Sequence, residues 1–86
     1  MPFELTQHAR LEMDRRQIPE DLVLAVLESP EQVVAEREGL VAYQSRVAFG
    51  PAGEMLVRAI VDEHVRPPRV ITVYRTSKIE KYWRPS

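Results

Sequence analysis

The chain has 86 residues, of which 12 are Lys or Arg, 13 are Asp or Glu and none is Cys, for a formal net charge of −1. This length supports one small domain, residues 1–86, held by packing alone; disulfides and thiolate metal sites are excluded, and a reducing, cytoplasmic compartment is the expectation. With 44% hydrophobic and 29% charged residues the composition is that of a folded globule, no apolar run is long enough to cross a membrane, and a balance so near neutrality excludes a uniformly basic nucleic-acid binder.

Phe3-Glu4-Leu5 alternates apolar and polar side chains and reads as a short edge strand, after which Thr6 offers an oxygen to the free amides of a helix start. The first helix is expected over 7–16, with Ala9 and Met13 four apart on its inner stripe. Pro19, Glu20 and Asp21 suit the start of a second helix over 22–28, because proline loses no hydrogen bond there and acids complement the helix dipole; Ser29 before Pro30 ends it. From Gln32 the period falls to two. Strands are expected over 32–37, 40–49, 54–63 and 69–75, with turns at Glu38-Gly39 and at Gly50-Pro51-Ala52-Gly53. The fold class is therefore α+β: a short N-terminal strand, two helices on one face of an antiparallel sheet of three to four main strands, and a short basic helical segment at the C-terminus. Met13, Leu22, Val26, Met55, Val57, Ala59 and Val61 are expected to face the helices, leaving Gln44, Arg46 and Arg58 on the open face.

Charge is divided along the chain. Between Gln17 and Leu40 six acids stand against Arg37, whereas between Arg66 and Arg84 six cations stand against Glu80. In the second stretch Arg75, Lys78 and Lys81 mingle with Tyr74, Tyr82 and Trp83, a composition in which cations meet phosphates and rings meet bases. Arg46, Arg58, Arg75 and Gln44 are expected to converge on the open face as an anion cradle, since guanidinium gives paired hydrogen bonds to a phosphate. Ser77-Lys78-Ile79-Glu80 fits a capping box, in which Ser77 and Glu80 satisfy the amides of the last helix. His8 with Glu12 one turn later can orient an imidazole for proton transfer. His8 and His64, without thiolates or further well-spaced ligands, do not make a metal site. Convergence of His8, Arg58, Arg75 and Lys78 in one open cleft is the mark of an enzyme; sequestered ion pairs are the mark of an interaction module.

The element order, Thr6-Gln7-His8-Ala9-Arg10-Leu11-Glu12-Met13 near the start, Glu28-Ser29-Pro30-Glu31-Gln32-Val33-Val34 in the middle and the segment from Val73 to Trp83 together resemble a family of small bacterial domains of unknown function grouped with RelE-, ParE- and BrnT-type toxins. The resemblance spans nearly the whole chain. It implies a RelE-like fold and metal-independent cleavage of RNA, in which a ribose 2′-hydroxyl attacks the adjacent phosphate to leave a cyclic phosphate and a free 5′-hydroxyl. It further implies an antitoxin as protein partner and no cofactor. On that likeness His8 or Tyr74 serves as acid or base, Arg58, Arg75 and Lys78 stabilise developing charge, and Arg46, Lys81, Tyr82 and Trp83 hold the RNA. The alternative is a non-catalytic module of the same fold that works by binding protein, as ParE-like domains do. A small anion or nucleotide binder shares the cationic site and needs no proton acceptor.

Overall fold

In the computed structural model, which describes residues 2–85, the elements run β1 (Glu4–Leu5), α1 (Gln7–Arg15), α2 (Glu20–Glu28), β2 (Gln32–Ala35), β3 (Val41–Ala48), β4 (Glu54–Asp62), β5 (Arg69–Thr76) and α3 (Ile79–Tyr82). The sheet has five strands in the order β1-β5-β4-β3-β2. Its four long members are antiparallel neighbours, as the alternating pattern and tight turns require, but β1 pairs with β5 in parallel, Leu5 beside Val70. The four main strands are antiparallel as expected, and β1 joins them as a fifth, parallel strand: the chain leaves β1 through two helices before its partner strand is made, and such a crossover permits parallel entry where a hairpin does not.

The Thr6 cap forms. Its Oγ1 accepts from the Ala9 amide at 3.0 Å and donates to the Ile71 carbonyl at 3.2 Å, so one hydroxyl starts α1 and ties it to β5. α2 begins at Glu20, two residues before the expected start, with Pro19 at the cap position. At the β2–β3 turn Glu38 and Gly39 take φ of 59° and 75°, and a Cβ on Gly39 would stand 3.2 Å from His64 Nε2. The positive φ favours glycine at position 39, whereas the exposed His64 ring has room to give way.

One face of the sheet carries the core. Ala9, Met13, Ile18, Val23, Val26 and Leu27 from the helical side bury against Val57, Ala59, Val61, Val70 and Val73. Leu22 and Met55, expected in this set, are only half-buried. The opposite face is not open as the alternation suggested. Ala42, Leu56 and Ile60 are buried on it, and so is Arg58 at 1% exposure, beneath the Tyr82 ring of the segment after β5. The expected capping box is absent: Lys78, not Ser77, occupies the cap position of α3, no side chain caps it, and the Lys78 amide instead donates to Thr76 Oγ1 at 3.1 Å. Thr6→Ala is accordingly expected to cost about 1–2 kcal/mol, whereas Ser77→Ala stays within about 0.5 kcal/mol; paired thermal melts read the difference.

Candidate functional site

Strand register builds a polar row across the second face. Gln32 lies opposite Gln44, Gln44 opposite Arg58 and Arg58 opposite Tyr74, one residue from each of β2, β3, β4 and β5. Because directly opposed residues share a face, period-two alternation alone places these four side chains side by side. They are joined by hydrogen bonds. Gln44 Nε2 donates to Gln32 Oε1 at 2.9 Å, Arg58 Nε donates to Gln44 Oε1 at 2.7 Å, and Arg58 Nη1 donates to the Tyr74 hydroxyl at 2.6 Å. Arg58 Nη2 donates to Glu36 Oε2 at 2.7 Å, and the Tyr82 ring covers the guanidinium at 4.2 Å from its centroid. A buried cation with each nitrogen engaged and an aromatic lid meets the conditions under which a charge survives removal from water. Among the described residues no buried side-chain N or O lacks a partner.

Three ionisations are set by this surface. Burial pushes the Tyr74 phenol above its usual range, with Arg58 pulling the other way, so at neutral pH it is a protonated hydroxyl. Hydrogen bonding to Arg46 holds the Glu31 carboxylate below its usual range, and the same contact raises Arg46. On the helix-packed side, burial and then Glu63 push the Tyr43 phenol up to about 12. A raised phenol pKa means that the folded state holds its proton more tightly. The associated stability is present below about pH 10 and is lost as pH climbs through the folded values. The melting temperature is thus expected to fall above pH 10, and a 295 nm titration should lose its highest step in Tyr43→Phe.

The sequence-derived site residues are divided by the fold. Arg58, Tyr74 and Tyr82 come together, the two tyrosine rings lying edge to face with centroids 6.2 Å apart. Arg46 is on the same face, under the Trp83 ring at 4.2 Å and paired with Glu31 at 3.1 Å. Lys81 lies over Tyr82 at 5.3 Å and Lys78 is exposed at the turn into α3. Arg75 does not join the cradle. It stands opposite Val57, on the helix-packed face, with its guanidinium over Phe49 at 4.3 Å. His8 is exposed on α1, where its charged neighbour is Glu12, a carboxylate lowered chiefly by its bond to Arg16. The expected cradle of three arginines and an amide is therefore a three-residue group of Gln44, Arg46 and Arg58, with Arg75 excluded by strand parity.

Glu36 and Gln32 escaped sequence reasoning. Glu36 is one acid among six in an acidic stretch, and only its even spacing from Gln32, one residue past the end of β2, signals that it shares the Arg58 face. Among the described residues no three His, Asp or Glu side chains are placed to hold a metal, and no helix is long and apolar enough to cross a membrane.

The fold and the row together define a small α+β domain with a polar, aromatic-covered site on the sheet face away from its helices. The chain belongs to the family described as Domain of unknown function (DUF4258), whose model matches residues 5–75. Gln32, Glu36, Gln44, Arg58 and Tyr74 lie inside that match and α3 lies beyond it. No curated protein and no solved structure matches the chain.

Proposed function

We propose that this is a RelE/BrnT-like toxin-type domain that cleaves RNA without metal, with Glu36, Arg58 and Tyr74 as its reacting groups. One observation carries the reading. A carboxylate, a guanidinium and a protonated phenol are linked within 2.7 Å on one face, which is a proton acceptor, a stabiliser of negative charge and a proton donor in contact. Glu36 takes the proton of the ribose 2′-hydroxyl as its oxygen attacks phosphorus. Arg58 balances the charge that gathers on the phosphorane oxygens. Tyr74 gives its proton to the departing 5′-oxygen, leaving a 2′,3′-cyclic phosphate and a 5′-hydroxyl end. Glu36 thus holds the acceptor role that the family likeness offered to His8, because the imidazole stands outside the cluster. Arg46, Lys78, Lys81 and Arg84, around the same face, supply phosphate contacts whose strength falls with added salt.

The test is single-stranded RNA incubated with the pure domain in EDTA. Tyr74→Phe and Glu36→Gln are each expected to slow cutting by about 10²- to 10⁴-fold in samples shown by circular dichroism to remain folded. Undiminished cutting in both variants removes the assignment.

A second reading rests on the burial of Arg58, which has the character of a structural ion pair, and on the exposed Val33 side chain of β2 and Leu11 of α1. In this reading the domain is a non-catalytic module that binds a protein partner. Intact RNA together with stoichiometric capture of one partner selects it.

A further inference from the structure

The segment after β5 is attached unlike the rest of the fold. α3 has four residues and none of them is buried. What holds residues 79–85 is polar and aromatic. Gln32 Nε2 donates to the Arg84 carbonyl at 2.5 Å while its Oε1 accepts from the Arg84 amide at 3.1 Å, and Gln44 Nε2 donates to the Tyr82 carbonyl at 3.2 Å. Above this frame two adjacent rings rest on two guanidiniums, Tyr82 on Arg58 and Trp83 on Arg46, each at 4.2 Å. A segment with few buried apolar contacts opens at low free energy compared with the global unfolding of the domain. The floor beneath it is chemically unlike a permanent interior, since a lasting cover over an interior is better served by apolar packing than by two cations and two amides.

That floor has the makings of a site for unpaired nucleotides. Guanidinium planes stack under bases, and a glutamine amide offers a donor and an acceptor side by side, as a base edge requires. We infer that residues 79–85 are a displaceable strap seated in the groove for two adjacent bases of single-stranded RNA, Tyr82 and Trp83 standing on Arg58 and Arg46 where those bases go. This rests on the RNA reading above and adds to it a subsite, formed by Gln32, Gln44, Arg46 and Arg58, and an internal competitor for it. In the closed form Tyr82 and Trp83 then oppose RNA contact.

The test separates binding from cleavage by using 2′-O-methyl hexaadenylate, which lacks the attacking hydroxyl, labelled at its 5′ end and titrated by anisotropy into the full-length protein. Removing a strap ring leaves the floor intact, so Tyr82→Ala and Trp83→Ala are each expected to tighten binding by about tenfold, while Arg46→Ala weakens it. In the parent protein, saturation with the probe shifts Trp83 emission to the red as the indole leaves Arg46. Weaker or unchanged binding in both ring variants, an emission unmoved while the probe binds, or no binding by any of the proteins overturns the inference. Tighter binding in the variants with unmodified RNA left uncut upholds the strap and removes the nuclease reading.

Discussion

Val57→Asp is expected to leave the domain unfolded at 25 °C. Val57 is wholly buried between the helices and the centre of the sheet, among Ala9, Val26 and Ala59 in one cluster. An aspartate there has two options. Ionised, it is a bare charge in a medium that penalises it heavily; protonated, it is a carboxyl with no hydrogen-bonding partner, at a cost of roughly 2–7 kcal/mol, to which the lost burial of valine adds about 1.5–3 kcal/mol. A domain of this size has only about 5–15 kcal/mol in hand, and small domains lie toward the lower figure. Far-UV circular dichroism with a melt is the measurement. A cooperative transition like that of the parent would place position 57 outside the core and contradict the strand register.

Arg58→Ala is expected to cost about 3 kcal/mol, against less than about 1 kcal/mol for Arg46→Ala. Both arginines pair with a glutamate, at 2.7 and 3.1 Å, so distance does not separate them. Burial does. Arg46 is 42% exposed and water can replace Glu31, whereas Arg58 is 1% exposed and its removal strands Gln44, Tyr74 and Glu36 together. The loss is smaller than for a fully buried pair because Glu36 keeps 27% of its side-chain surface in water. Urea titrations of the two variants read the contrast, and Arg58→Met combined with Glu36→Gln should recover part of the loss by removing the unpaired acid. Equal effects of the two alanine variants would show Arg58 to be solvated.

Those two residues also mark how far the sequence could be read. Alternation alone separates Val57 from Arg58 and sets Gln44 on the face of Arg58, a local pattern of period two; that Gln44 lies directly opposite Arg58 and bonds to it is a finding of the structure. Arg75 obeys the same parity and belongs with Val73 on the core side, a signal present in the sequence that its basic surroundings obscured. The cover over Arg58 left no such trace. A four-residue helix without a buried side chain has no periodicity, and Ser77-x-x-Glu80 matched a cap pattern whose geometry the turn at Thr76 does not allow. Glu36 meets Arg58 across 22 positions, a distance over which only the assembled sheet creates the contact. What was legible was therefore the scaffold and half of the row; the acid, the strap and the separation of His8 from the cluster arise from tertiary packing.

The central claim, that this face performs metal-independent transfer within RNA, is tested most directly by the ends it makes. Pure protein and a defined single-stranded RNA are combined in EDTA, and the products are analysed by mass spectrometry. New fragments ending in a 2′,3′-cyclic phosphate are expected, paired with fragments beginning in a 5′-hydroxyl, at a rate that collapses in Tyr74→Phe. RNA recovered at full length, or cut to 3′-hydroxyl and 5′-phosphate ends, contradicts it.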